Sequence, residues 1–158
     1  TDNDARRLER SGVPVKQLIT GTVCHLEADM IRRTLVDWNP GPLDILFIEN
    51  VGNLVCPASY DLGENLRVVL FSVTEGEDKP LKYPTIFNTA DLTIISKQDL
   101  VSAVEFDALA AQSVIQSVRP GMPVLKLSAK TGQGMETWLR TLENYMPAEI
   151  LSQRQTTG

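Results

Sequence analysis

Three apolar runs, each followed by a polar or glycine-containing loop, constrain the fold of this chain more than any other feature. They occupy residues 43–48, 66–73 and 92–96. Continuous apolar runs of this length are typical of strands buried on both faces of a parallel sheet. Parallel strands need long crossover connections, which are usually helices. The runs therefore predict an α/β fold.

Helical patterns alternate with these runs, as such a fold requires. Leu26, Met30, Ile31, Leu35 and Trp38 recur at helical spacing within residues 26–38. Further helices are predicted at residues 2–11, 106–118 and 135–145, further strands at 15–20 and 123–128, and a charged connector at 74–85. The alternation is typical of a doubly wound α/β domain. In these domains ligands bind beyond the carboxyl ends of the strands.

Composition narrows the classes of function. The net charge is −5, which argues against nucleic acid or an anionic membrane as the main partner. No apolar run approaches the roughly 20 residues that a membrane-spanning helix needs, and the charged first ten residues do not resemble a secretory signal. We therefore expect a cytoplasmic protein.

Two short polar elements follow the strands predicted at 92–96 and 123–128. They read Ser96-Lys97-Gln98-Asp99 and Ser128-Ala129-Lys130. The pair resembles the guanine-reading elements of GTPases, Asn-Lys-x-Asp and Ser-Ala-Lys. At the first position this chain has serine, which is shorter than the usual asparagine and lacks its amide.

The chemistry of guanine explains these residue types. The carboxylate of Asp99 can accept hydrogen bonds from both N1–H and the 2-amino group, a charge-assisted bidentate pair that adenine does not offer. The stem of Lys97 can lie along the base, and the N–H of Ala129 can meet the guanine oxygen. Alternatively, residues 97–99 form a solvated turn in which Asp99 caps the following helix.

The strand predicted at 43–48 ends in an acid, Glu49, and Gly52 follows three residues later. This pattern resembles the switch II signature of GTPases, in which the acid holds Mg²⁺ and the glycine N–H senses the γ-phosphate. The alternative is an acid that only caps a turn. The phosphate-loop motif Gly-x-x-x-x-Gly-Lys-[Ser/Thr] does not occur in these residues. We interpret residues 1–147 as a GTPase domain that lacks its N-terminal strand and phosphate loop, and residues 148–158 as a polar tail.

Both cysteines and the only histidine follow predicted strands. Cys24 and His25 are adjacent, and Cys56 follows the strand at 43–48. Thiolate and imidazole ligands suit Zn²⁺ or Ni²⁺ better than hard cations. Alternatively the cysteines are small buried hydrophobes and the histidine a cap, or the cysteines form a disulfide. Three ligands leave a fourth position for water or for a site shared across a dimer.

Together these residues resemble the hydrogenase nickel-incorporation GTPase family, HypB, from Thr1 to about Pro147. The most specific segments are residues 20–26, 48–57 and 75–84, and residues 1–5 resemble the switch I region, which includes Asp4. The resemblance implies a P-loop NTPase-like fold of the SIMIBI type, a mainly parallel sheet flanked by helices, with the central P-loop strand missing.

The resemblance also implies a function. The family is a homodimeric GTPase that uses GTP and Mg²⁺, holds Ni²⁺ or Zn²⁺ at Cys24, His25 and Cys56, and delivers nickel to the large subunit of [NiFe]-hydrogenase with a partner metallochaperone. Three alternatives stay open. They are a metal-binding dimeric module without nucleotide function, a thiol oxidoreductase, and a related GTPase that serves another metalloenzyme.

Overall fold

The computed structural model describes residues 2–19, 25–50 and 54–146, with backbone alone for residues 2–4 and 57. The helices are α1 (Asp2–Glu9), α2 (Ala28–Trp38), α3 (Lys79–Lys82), α4 (Pro84–Thr89), α5 (Ala108–Val118) and α6 (Met135–Glu143). The strands are β1 (Val68–Ser72), β2 (Leu92–Ser96) and β3 (Val124–Lys126). The chain divides into two compact units, which meet in sequence after Gly63.

The second unit contains a parallel sheet in the order β1-β2-β3. Ser72 pairs in register with Ser96, and Ile95 with Lys126. Helices α3 and α4 connect β1 to β2, and α5 connects β2 to β3. Because the strands are parallel, their carboxyl ends lie at one edge of the sheet.

The central strand β2 is buried on both faces, as its apolar sequence predicts. Ile95 packs into a cluster with Phe71, Phe87 and Ile115, and the two phenylalanine rings meet edge to face with centroids 5.8 Å apart. In a second cluster, Leu92 and Ile94 of β2 pack with Leu127 and with Met135 and Trp138 of α6. Burial of each such side chain is worth about 1.5–3 kcal/mol, so the packing of helices against the sheet stabilises this unit.

The predicted α/β fold with a parallel sheet is confirmed, and β2 has the predicted boundaries. The predicted connector 74–85 contains α3 and the start of α4. Tyr83 separates these helices at φ −130° and ψ 55°. This residue precedes Pro84, and the residue before a proline disfavours the helical conformation.

Two predicted strands are wrong within the described residues. Residues 43–48 and 15–19 form no strand, and Phe47 is 67% exposed. A strand forms only when a neighbour supplies ladder hydrogen bonds, and the one sheet of the described residues consists of β1–β3. No helix in the described part of the chain is long and apolar enough to cross a membrane.

Candidate functional site

The loop after β2 begins with a tight turn at Lys97. Its backbone has φ 58° and ψ 40°, the left-handed conformation, and it leads directly into a 3-10 helix at Gln98–Ala103. The preceding Ser96 donates a 3.2 Å hydrogen bond from its hydroxyl to the carbonyl of Phe71. The serine therefore fastens the end of β2 to the end of β1, a role that its hydroxyl performs without an amide.

The loop after β3 is joined to the loop after β2 by main-chain hydrogen bonds. The N–H of Leu127 donates to Ile95 at 3.1 Å, and the N–H of Gln98 donates to Leu127 at 3.2 Å. These bonds continue the pairing of the two strands beyond the residues assigned to the sheet. The two predicted guanine-reading elements are therefore held side by side.

The Ser128 loop closes on itself. The N–H of Ser128 donates to Gln133, and the N–H of Gly132 donates back to Ser128, each at 2.9 Å. The loop ends at Gly134, whose φ of +74° favours glycine. A Cβ atom on Gly134 would lie 2.2 Å from the carbonyl oxygen of Lys126, so the loop approaches the backbone of β3 too closely for any other residue.

The structure brings Asp99 and Ser128 into direct contact. The hydroxyl of Ser128 donates to Oδ1 of Asp99 at 2.5 Å, and Nζ of Lys130 lies 4.0 Å from Oδ2. The Asp99 side chain is 15% exposed and that of Lys130 is 80% exposed. The sequence predicts that the two elements follow neighbouring strands, and in the structure they lie side by side at the carboxyl edge of the sheet.

The contacts of Asp99 also shift its pKa. The hydrogen bond from Ser128 lowers the pKa of Asp99 below its ordinary value, burial opposes this effect, and Lys130 and Lys97 act in the same direction as Ser128. The cap position of the 3-10 helix belongs to Lys97. Asp99 therefore lies within the 3-10 helix, with its carboxylate held by Ser128, and is not the cap of that helix.

Ser72 and Glu75 form a hydrogen-bonded pair at the carboxyl end of β1 that was not predicted from the sequence. The N–H of Ser72 donates to Oε2 of Glu75 at 2.7 Å, and the hydroxyl of Ser72 accepts from the N–H of Thr74 at 3.2 Å. Burial acts to raise the pKa of Glu75, but hydrogen bonds from Lys79 and Ser72, with the charges of Lys79 and Lys97, lower it. The signal was available, because Ser-x-x-Glu is the capping-box pattern.

The predicted metal-binding residues belong to the first unit. His25 is 8% exposed, and its ring stacks on Tyr60 with centroids 3.7 Å apart. Cys56 is half-buried and opens a 3-10 helix, Cys56–Ser59. The N–H of Leu26 donates to Oδ1 of Asn50 at 3.3 Å, so the segment of His25 lies against the segment that leads to Cys56.

The other predicted residues are only partly described. Glu49 is exposed and lies outside any strand. Asp4 lies in α1, its side chain is outside the described atoms, and Gly52 and Cys24 lie outside the described residues. Among the side chains of residues 5–19, 25–50, 54–56 and 58–146, no three of the His, Cys, Asp and Glu type group closely enough to hold a metal ion. The described residues thus contain two of the three predicted metal ligands.

Comparison with known proteins identifies the family of this chain. The family model described as "CobW/HypB/UreG, nucleotide-binding domain" matches residues 1–126. The crystal structure of hydrogenase maturation factor HypB from Archaeoglobus fulgidus is 41% identical, with a TM-score of 0.82 over 91% of this chain and 70% of that chain. The chain belongs to the HypB family. The resemblance identified from the sequence is confirmed.

Other HypB proteins give the extent of the match. HypB from Helicobacter pylori in complex with nickel is 43% identical, with a TM-score of 0.84 over 94% of this chain and 73% of that chain. Hydrogenase maturation factor HypB of Azotobacter chroococcum mcd 1 is 47% identical over 150 residues, and that of Escherichia coli (strain K12) is 50% identical over 147. Those matches cover 95% and 90% of this chain but 49% of each relative. The chain therefore spans about half the length of these curated relatives.

Proposed function

We propose that this chain forms the greater part of a GTPase domain that binds guanine nucleotides and handles nickel for the maturation of [NiFe]-hydrogenase. The observation that carries the proposal is the contact between Asp99 and Ser128 at the carboxyl edge of the sheet. Membership of a family whose matching model is a nucleotide-binding domain supports it, as does the nickel complex of the related Helicobacter pylori protein.

Guanine recognition is assigned to the loops after β2 and β3. The carboxylate of Asp99 would accept from N1–H and the 2-amino group of the base. Ser128 holds that carboxylate in place, so little ordering is needed when the base arrives. The exposed Ala129 would offer its N–H to the guanine oxygen, while the stem of Lys97 would cover one face of the base. Adenine lacks the two donors, and a site built for them rejects it.

Mg²⁺ and the γ-phosphate are assigned to the switch residues Glu49, Gly52 and Asp4. Glu49 fits this role because it is an exposed carboxylate, and Mg²⁺ prefers oxygen ligands with several waters retained. The bound ion would neutralise charge on the β- and γ-phosphates while the γ-phosphoryl group passes to water and GDP leaves. Glu49 would hold the ion, the N–H of Gly52 would contact the γ-phosphate, and Asp4 would belong to the facing switch.

Nickel is the cargo in this proposal. The imidazole of His25 and the thiolates of Cys24 and Cys56 form a donor set that suits Ni²⁺ and also Zn²⁺. His25 is buried in the segment next to the Cys56 turn, which fits a site shielded from water. We infer that a homodimer completes the coordination and that a partner metallochaperone and the hydrogenase large subunit exchange the ion in the cytoplasm.

Gly52 of the proposed γ-phosphate switch and Cys56 of the proposed metal site lie close together in sequence. Only three residues separate them. Ordering of residues 49–52 by the γ-phosphate would shift Cys56 relative to His25, and hydrolysis would then alter the ligand set and release the ion. By linkage, the metal must change nucleotide affinity by the same factor.

Nucleotide binding is tested by equilibrium dialysis of GDP and ADP against the chain. We expect GDP to bind more tightly than ADP, and Asp99→Ala to abolish the preference. Asp37→Ala, which removes an exposed carboxylate of α2, is the matched control and should keep it. Equal binding of GDP and ADP by the unmodified chain would refute guanine recognition.

Metal binding is tested by titration of the reduced chain with Ni²⁺ and Zn²⁺ while its molecular mass is followed. We expect tight binding that Cys24→Ala and Cys56→Ala each weaken, together with metal-dependent dimerisation. Binding that ignores both cysteines would remove the metal half of the proposal.

A metal-binding module without nucleotide function is the second candidate. It is favoured by the position of the His25 segment against the segment that leads to Cys56, which a metal site needs without any nucleotide. The two candidates differ in the dialysis experiment. The second one predicts cysteine-dependent metal binding with no preference between GDP and ADP.

A further inference from the structure

The imidazole of His25 lies flat against the phenol ring of Tyr60. The ring centroids are 3.7 Å apart and the rings are inclined by 14°. His25 is 8% exposed, whereas Tyr60 is 42% exposed. The tyrosine therefore covers one face of a buried histidine while its own outer side remains in contact with solvent.

Stacking of this kind fixes the plane of the imidazole. A metal ion binds a histidine nitrogen through a lone pair that lies in the ring plane, so a ring stacked on its face still offers its edge. On that edge, Oε1 of Glu27 lies 3.4 Å from Nε2. Tyr60 thus covers a face of the imidazole, and Glu27 lies beside one of its two edge nitrogens.

Tyr60 also belongs to the segment that carries Cys56. It follows directly on the 3-10 helix Cys56–Ser59, and a 3-10 helix rises about 2 Å per residue. Cys56 and Ser59 are therefore about 6 Å apart along the helix axis, and Tyr60 is the next residue. A displacement of this turn would carry Tyr60 with it.

We propose that Tyr60 is a positioning residue of the nickel site, which fixes the plane of His25 and makes the imidazole follow the Cys56 turn. The inference rests on the proposed metal site and adds to it a residue that is not itself a ligand. Partners that orient a ligating histidine typically change metal affinity by 10- to 100-fold.

The contact can be measured without metal, because His25 is the only histidine of the chain. A stacked aromatic ring shifts the imidazole proton resonances upfield. We expect these resonances to be upfield in the unmodified chain and in Tyr60→Phe, and to return towards ordinary values in Tyr60→Leu. Tyr145→Leu, which removes another half-exposed tyrosine, is the matched control and should leave them unchanged. Resonances that are the same in Tyr60→Leu and in the unmodified chain would overturn the contact.

Metal affinity then tests the role. We expect Tyr60→Leu to weaken Ni²⁺ binding about tenfold and Tyr60→Phe to restore it. In a His25→Ala background, Tyr60→Leu should have no further effect, because the tyrosine acts through the histidine. The amide spectrum of each variant shows whether it is folded.

Two outcomes separate this inference from the function on which it rests. If Cys56→Ala and His25→Ala weaken Ni²⁺ binding but Tyr60→Leu does not, the positioning role is refuted and the metal site stands. If neither Cys56→Ala nor His25→Ala changes Ni²⁺ binding, the metal site and the positioning role fail together.

Discussion

Ser128 donates a 2.5 Å hydrogen bond to Asp99, a side-chain contact between the loops after β2 and β3. Ser128 is completely buried, so its hydroxyl has a fixed position from which to hold the carboxylate. The acid that would read the base is consequently positioned by the neighbouring strand before any ligand arrives.

Removal of this hydroxyl should change the titration of Asp99. We expect Ser128→Ala to raise the pKa of Asp99 towards its ordinary value, because the hydrogen bond from Ser128 is the largest cause of its lowering. Carboxyl resonances followed through an acid titration would show the change. Ser117→Ala removes an exposed hydroxyl bonded to Val114 and is the control that should leave Asp99 unaltered.

The same contact has a consequence for stability. Because the folded state lowers the pKa of Asp99, its contribution to stability is present above the unfolded pKa of about 4. The contribution is lost as the pH falls through the lower folded value. The stability difference between the unmodified chain and Ser128→Ala should therefore be larger at neutral pH than in acid, where the loss of the bond from the Thr131 N–H remains. A difference that is the same at neutral pH and below both pKa values would show that the ionisation of Asp99 plays no part.

Gly134 offers a test of the loop that carries Ser128. In Gly134→Ala the new Cβ would meet Lys126 O at 2.2 Å, in addition to the strain of a positive φ. At Gly132 the φ is +82° but nothing lies within 4 Å. Gly132→Ala should cost about 1–3 kcal/mol of unfolding free energy, and Gly134→Ala should cost more. Urea denaturation of both variants decides the point, and equal losses would mean that the close approach is absent.

Hydrogen exchange should distinguish the two compact units. Most of the exposed large apolar side chains, among them Ile19, Val36 and Phe47, lie before residue 64, and the sheet lies after it. Amides of β1 and β2 should therefore be protected more strongly than those of α2, because burial and hydrogen bonding determine local stability. Equal protection throughout would show that the described chain unfolds as a single cooperative unit.

The sequence predicted the sheet well where a strand has neighbours on both sides. Residues 92–96 and 43–48 carry the same kind of apolar run, yet only the first is a strand in the described structure. An apolar run indicates burial, but the ladder depends on which other segments are present to pair with it. That information is not local, so the pattern alone could not separate the two segments.

In the candidate site, too, some features could be predicted from the sequence and others depend on contacts between distant residues. The sequence predicted that the elements of Asp99 and Ser128 follow neighbouring strands, and the contact between the two residues follows from those places at the ends of adjacent parallel strands. The stacking of His25 on Tyr60 joins residues far apart in sequence, and no spacing rule indicates it. The capping box at Ser72 and Glu75 could have been predicted from its Ser-x-x-Glu pattern. The segment was instead interpreted as a charged connector.

The most direct test of the central claim, that Asp99 reads guanine, is a comparison of GDP with xanthosine diphosphate. Xanthine carries a carbonyl where guanine carries its 2-amino group, so an amide side chain matches it better than a carboxylate. We predict that the chain binds GDP about 5- to 150-fold more tightly, since a bidentate pair gives roughly 1–3 kcal/mol of discrimination. Asp99→Asn should reverse the preference. A preference that is absent from the unmodified chain, or unchanged in Asp99→Asn, would contradict the assignment of Asp99 to the base.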